Sequence, residues 1–220
     1  MLNYSCLILD HDDTIVKSTP QIHYPAFTET LRLLRPELPP LSLIEFVNYC
    51  FDPGFDGICN QIYHFTDEEM KIEYTIWKKY TQNHIPEPYP GLRAILLKFK
   101  QEGGKIVVIS HSESAEIKRD FIRHFDFEPE LIFGWELGAG KRKPDAYPLL
   151  QTMRILNLKN TDCIMVDDLK LGQDMCRKCD VSFAAAGWSH FVEEISDYLK
   201  VSSDFYLYSV ADLADLLFKQ

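Results

Sequence analysis

Two carboxylates, Asp10 and Asp12, stand two residues apart directly after a short apolar run, and a second acidic pair, Asp167-Asp168, follows another. At the end of an extended segment that spacing turns both side chains of the first pair to one side. Four carboxylates brought together repel one another, because burial and like charge both disfavour ionisation, unless a cation sits among them. Oxygen donors select a hard cation, and Mg2+ takes a few carboxylates together with water and phosphate oxygens. Ser110, ending the run Ile106-Val107-Val108-Ile109, offers a hydroxyl donor, and Lys143, just before Pro144, offers a positive charge. Such a set suits phosphoryl transfer to a carboxylate. An aspartate attacks phosphorus, cation and lysine offset the charge on the transferring group, and a second acid manages the proton.

These residues share a location only if their elements do. Apolar runs at 3–9, 105–110, 131–133, 163–166, 182–186 and 205–207 read as strands. Helical stretches alternate with them at 92–100, 115–124, after Pro144, after Asp168, and at 191–199 and 211–217. Alternation of this kind predicts an α/β fold, a Rossmann-like three-layer core with a mainly parallel sheet and right-handed crossovers. In such sheets ligands bind at the carboxyl ends of the strands. Asp10, Asp12, Ser110, Asp167 and Asp168 all fall at predicted strand ends and would gather along one edge. From Ser18 to Pro86 the pattern changes. Pro20, Pro25, Pro36, Pro39, Pro40 and Pro53 punctuate helical spacings such as Phe27-Leu31-Leu34 and Met70-Tyr74-Trp77-Tyr80. The expectation is a core of 1–17 with 87–220 and a smaller helical cap domain of 18–86.

Composition narrows the partners. The 220 residues are 46% hydrophobic and 25% charged, ordinary for a globular protein. A net charge of −10 argues against nucleic acid, whose binding needs clustered Lys and Arg. No apolar stretch approaches the roughly 20 residues that span a bilayer, so no membrane role is expected. Met1–Cys6 lacks a basic n-region, which predicts a cytoplasmic protein with its six cysteines reduced. Cys176 and Cys179 form a CxxC with no second pair to complete a metal site, and are expected to pack in a helix. The expected partner is a phosphorylated small molecule, and the chain is compatible with a monomer or a homodimer.

The four motifs, in this order, resemble those of the haloacid dehalogenase-like (HAD) superfamily, phosphatase type. Asp10-His11-Asp12-Asp13-Thr14 matches its DxDx[T/V], Ser110 its strand-ending Ser or Thr, Lys143-Pro144 its lysine, and Asp167-Asp168 its acidic pair. The resemblance implies Mg2+-dependent hydrolysis of a small phosphate monoester. It makes Asp10 the nucleophile, Asp12 the general acid/base, and Ser110 and Lys143 the phosphoryl-binding pair. Mg2+ would be held by the Asp10 side chain, the Asp12 backbone carbonyl and the Asp168 side chain, with Asp167 in the outer shell or sharing the ligand role. A helical cap between the first two motifs would select the substrate.

The chain departs from the family pattern in two places. Asp13 stands where members commonly have Gly, which puts the turn in question. Gly172 replaces a frequent further acid, as in the sugar-phosphate phosphatase and phosphoglucomutase branch, so Asp174 is not expected to bind metal; Lys141 is a second lysine near the third motif. Two neighbours of the key residues join the substrate-binding expectations: His11, facing the cap, and His111, after Ser110. The loop from Phe51 to Gly57 carries two aromatics suited to a turn or to ligand contact. A phosphosugar mutase sharing the intermediate, or a non-catalytic binding protein on the same fold, are the alternatives.

Overall fold

The computed structural model describes residues 1–39 and 41–219; Pro40 and Gln220 lie outside the described residues. The chain divides into two compact units, Met1–Val16 with Pro88–Gln220, and Lys17–Glu87. The first unit holds six strands: β1 (Cys6–Leu9), β2 (Lys105–Ile109), β3 (Leu131–Phe133), β4 (Cys163–Asp167), β5 (Ser182–Ala185) and β6 (Phe205–Tyr206). They form one sheet in the order β3-β2-β1-β4-β5-β6, with every pairing parallel. β1 lies centrally, Leu9 level with Val108 on one side and Val166 on the other. It is shorter than the predicted 3–9, because the Asn3 amide donates to the Leu217 carbonyl instead of a strand neighbour.

The Lys17–Glu87 unit is helical. It contains α1 (Tyr24–Leu34), α2 (Leu43–Phe51), the single turn α3 (Phe55–Gly57) and α4 (Asp67–Asn83), with π-helical turns at Thr19–His23 and Ile58–Ile62. Ser42 with Glu45 and Thr66 with Glu69 form capping boxes that start α2 and α4, and the sequence S/T-x-x-E marks both. Phe27 centres the apolar cluster, its ring 5.3 Å from Phe46, 5.8 Å from Phe55 and 5.8 Å from Tyr63. Phe55, one of the two loop aromatics, therefore packs inside this unit. The Arg35 guanidinium donates to Glu69 and to the Tyr63 carbonyl, tying the end of α1 to the start of α4.

Back in the first unit, α5 (Leu92–Gln101), α6 (Ser114–Phe125) and α10 (Val210–Leu217) share a core with alternate strand residues Leu7, Leu9, Ile106, Val108, Ile164 and Val166. The period of two turns Ile8, Val107, Ile109 and Met165 to the opposite face. On the sheet, α8 (Lys170–Cys179) packs on β4 and β5, α7 (Tyr147–Leu156) against α8, and α9 (Glu193–Ser202) against β6. Phe99, Phe121 and Phe125 are fully buried, and burying each side chain contributes roughly 1.5–3 kcal/mol. Both faces are covered, which is why the central strands read as continuous apolar runs. All six cysteines are free thiols, and Cys176 is buried in α8. Among the described residues no helix is long and apolar enough to cross a membrane.

Glu73 on α4 is 6% exposed. Burial pushes its carboxyl from about 4.5 up to about 7, against a smaller opposing pull from His23. Between those values the folded state keeps a proton that the unfolded chain releases. The stability tied to this group is therefore fully present below about pH 4.5 and is lost as pH rises through about 7. Glu73→Gln is expected to raise stability by roughly 1–3 kcal/mol at pH 8 and to leave it unchanged near pH 4. Urea denaturation at the two pH values checks this, and an equal effect at both would contradict it.

Candidate active site

The carboxyl ends of β1, β2 and β4 bring the motif residues of the first unit together. Asp10 follows β1 and extends its ladder, its amide donating to the Val166 carbonyl at 2.9 Å. The chain then folds back in a tight turn in which the Ile15 and Val16 amides donate to the His11 carbonyl and the Asp13 amide to Val16. Asp13 has φ 53°, the left-handed region that favours glycine and that Asp tolerates better than most residues. The turn survives the substitution that the sequence put in question, and it gains a charge that helps raise the Asp168 carboxyl.

Asp10, Asp167 and Asp168 are buried and offer carboxylate oxygens that all lie within 4.8 Å of one another. Lys143, 8% exposed, donates from Nζ to Asp10 Oδ1 and to Asp167 Oδ2, both at 2.6 Å. Burial would lower the Lys143 pKa, but the two carboxylates raise it well above the ordinary lysine value. Burial pushes Asp10 up to about 7; Lys143 opposes this, and Asp167 and Asp12 add to it. Asp168 is raised well above the carboxylate range by burial, then by Asp167 and Asp10. Three carboxylates against one ammonium leave this cluster a formal two positive charges short. The donor set, all carboxylate oxygen, fits a hard divalent cation such as Mg2+.

Lys143 is the lysine brought to the cluster; Lys141 is exposed, with Nζ over the Tyr147 ring at 5.3 Å from its centroid. Asp174 pairs with Arg177 and stands apart from the three clustered acids. Asp167 also accepts the Leu169 amide, and Thr14 Oγ1 donates to Asp168 at 3.4 Å. His190 contacts the Asp168 carbonyl through Nε2 at 2.8 Å and the Tyr206 hydroxyl through Nδ1 at 3.0 Å. It steadies the backbone of the acidic pair, a role that no spacing in the sequence signalled.

Asp12 is held by β2 neighbours. Ser110 Oγ donates to its Oδ2 at 3.2 Å, and Ser112 Oγ donates to the same oxygen at 2.6 Å. Ser112 escaped the sequence reading, although two residues past Ser110 an extended strand end returns to the same side. The two histidines expected at the substrate make contacts with the protein itself. His111 Nε2 donates to the Lys143 carbonyl at 3.0 Å, bracing the lysine loop. Burial and then the positive charges of Lys143 and Arg142 lower its pKa to about 3, so the ring is neutral and the donating nitrogen is defined. His11 is 2% exposed and turned into the core unit toward Asp120 on α6, its Nε2 3.2 Å from Asp120 Oδ2. Burial would lower its pKa, yet Asp12 and Asp120 raise it to about 10.

A Cβ added to Gly172, in the first turn of α8, would collide with the carboxylate and Cβ of Asp167. Absence of a side chain there lets α8 pass directly beneath the acidic pair. Ala favours a helix over Gly by about 1 kcal/mol, but overpacking costs about 1–3 kcal/mol, and here the obstacle is a fixed carboxylate. Gly172→Ala is expected to destabilise the protein by about 1–2 kcal/mol, read as a lower urea midpoint at unchanged slope.

Residues 7–186 match the family model described as haloacid dehalogenase-like hydrolase. A phosphoglycolate phosphatase of Aquifex aeolicus (strain VF5) is 24% identical over 220 residues, covering 96% of this chain and 95% of its own. Among solved structures, a haloacid dehalogenase-like hydrolase from Bacteroides fragilis superposes with a TM-score of 0.80 at 18% identity, covering 96% of this chain and 99% of that one. CbbY from Rhodobacter sphaeroides, solved with xylulose-(1,5)bisphosphate, gives 0.73 at 15% identity and 96% coverage of each chain. These likenesses carry the fold, while the family match spans most of the chain and includes Asp10, Asp12, Ser110, Lys143, Asp167 and Asp168. The chain belongs to the haloacid dehalogenase-like hydrolase family.

Proposed function

We propose that the chain is a phosphatase that hydrolyses a small phosphate monoester in the cytoplasm, with Asp10 as the nucleophile. The observation that carries this reading is Asp10 itself: 4% exposed at the end of the central strand, bonded to Lys143, and within 4.8 Å of two further carboxylates. Asp10, Asp168 and the Asp12 carbonyl would hold Mg2+, with Asp167 behind them or sharing the ligand role. The ion, when bound, supplies positive charge to the phosphoryl oxygens.

The side chains divide the reaction between them. A carboxylate oxygen of Asp10 attacks phosphorus, and the P–O bond to the leaving alcohol breaks with its electron pair going to that oxygen. Asp12 delivers a proton there. Water then attacks the phosphorus of the aspartyl phosphate while Asp12 takes its proton, and the bond to Asp10 breaks to release inorganic phosphate. Lys143 and Ser110 bind the phosphoryl oxygens, Lys143 shifting from carboxylate to phosphoryl as Asp10 loses its charge. The Lys17–Glu87 unit takes the part of the substrate-selecting cap. Phosphoglycolate, in the name of the Aquifex aeolicus relative, is the first ester to try.

Phosphate release from a panel of phosphorylated metabolites, with and without Mg2+, tests the proposal. Turnover is expected to require the ion and to fall at least about 10³-fold in Asp10→Asn. Interconversion of sugar phosphates without phosphate release would move the reading to a mutase. Mg2+ bound with no turnover of any ester would leave a binding protein on this fold.

A further inference from the structure

The ring of His11 lies between two carboxylates. Its Nδ1 is 3.3 Å from Asp12 Oδ1, and its Nε2 is 3.2 Å from Asp120 Oδ2. The second approach is off-line for a hydrogen bond. Asp120 is 1% exposed, and its other oxygen accepts from Arg119 Nε at 2.7 Å. Arg119, Asp120, His11 and Asp12 thus form a row of contacts that runs from the half-buried face of α6 to the general acid/base. The geometry points to His11, backed by Asp120, as the positioning residue for Asp12: it holds Oδ1, so that Oδ2, which accepts from Ser110 and Ser112, is the oxygen turned to the site to exchange the proton.

Two features separate this role from packing. An apolar side chain would fill the His11 site without placing ring nitrogens against two carboxylates, and a buried polar group costs about 1–3 kcal/mol unless it is paired. The division of labour at Asp12 is also directional. Oδ1 faces the histidine, whereas Oδ2 faces the Ser110 and Ser112 hydroxyls at the strand edge where the phosphoryl group would bind. A carboxylate fixed through one oxygen presents the other at a set angle, and displacement of about 1 Å in such a group costs on the order of 100-fold in rate. No proton leaves His11 in this role.

The inference rests on Asp12 being the general acid/base, and the test separates the two. Steady-state kcat/KM, which reports the transfer to Asp10, is measured with an alkyl phosphate and with p-nitrophenyl phosphate. Only the alkyl ester needs its leaving group protonated. Asp12→Asn is expected to lose far more on the alkyl ester. His11→Leu and Asp120→Asn should follow that pattern in weaker form, about 10- to 100-fold on the alkyl ester and within about 3-fold on the aryl ester. His11→Gln, which keeps one donor, should fall between His11→Leu and wild type.

Equal losses on both esters in His11→Leu and Asp120→Asn, or no loss, overturn the positioning role while Asp12→Asn still discriminates. If His11→Leu does not fold, Asp120→Asn carries the comparison; failure of both to fold marks the row as scaffold and overturns the inference too. An Asp12→Asn that does not discriminate, or a wild type inactive on both esters, removes the acid/base reading and the positioning role with it.

Discussion

Mutual repulsion among Asp10, Asp167 and Asp168, buried with their oxygens within 4.8 Å, is the constraint around which the first unit is organised. Carboxylates so placed would rather keep protons or separate. The fold prevents separation by mounting them on adjacent parallel strands whose register is fixed on both sides of β1. It offsets part of the charge with a single ammonium that touches two of the three acids. What is left is a strong local demand for positive charge, directed at the edge where the strands end. The overall charge of −10 makes that demand more telling, since a general anion-binding surface would need the opposite balance.

Much of the surrounding structure serves to hold that arrangement still. His111 fixes the carbonyl of Lys143, His190 the carbonyl of Asp168, and Trp188 donates to the carbonyl of Thr14 at the end of the turn after β1. Each is a ring nitrogen gripping the backbone of a motif residue, leaving the reactive side chain unencumbered. Helix α8 contributes by what it lacks at Gly172, and α6 by reaching Asp120 inward to His11. Chemistry of this kind depends on charges aimed in advance, because a site that must reorganise during the reaction forfeits most of its electrostatic advantage.

The sheet and its functional edge were readable in the sequence because both faces of the central strands are covered. Cys6–Leu9, Lys105–Ile109 and Cys163–Asp167 are dense apolar runs that stop abruptly at polar residues. Side-chain direction was less accessible. His11 was expected to face the helical cap, yet it turns to Asp120, because the tight turn closed on its carbonyl fixes the path of the chain there. Nothing local in the sequence pairs a histidine at the end of the first strand with an acid on a helix after the second. Ser112 was readable in principle from the Ser-His-Ser alternation. His111 and His190 were not, since their partners are carbonyls, which every residue carries.

The central position of β1 bears on how the chain acquires its structure. Both neighbours of that strand lie beyond the helical unit in sequence, β2 at Lys105–Ile109 and β4 at Cys163–Asp167. During synthesis β1 therefore emerges before either neighbour, its apolar residues unpaired, while the Lys17–Glu87 unit can already assemble around Phe27. Pairings of such long sequence separation carry loop-closure costs that slow folding and lengthen exposure of the strand. The polar residues that follow Cys6–Leu9, from Asp10 to Thr14, interrupt its apolar run, and interruptions of that kind restrain aggregation. The charges gathered at the strand edge in the folded unit thus also interrupt an apolar run in the growing chain, before that edge exists.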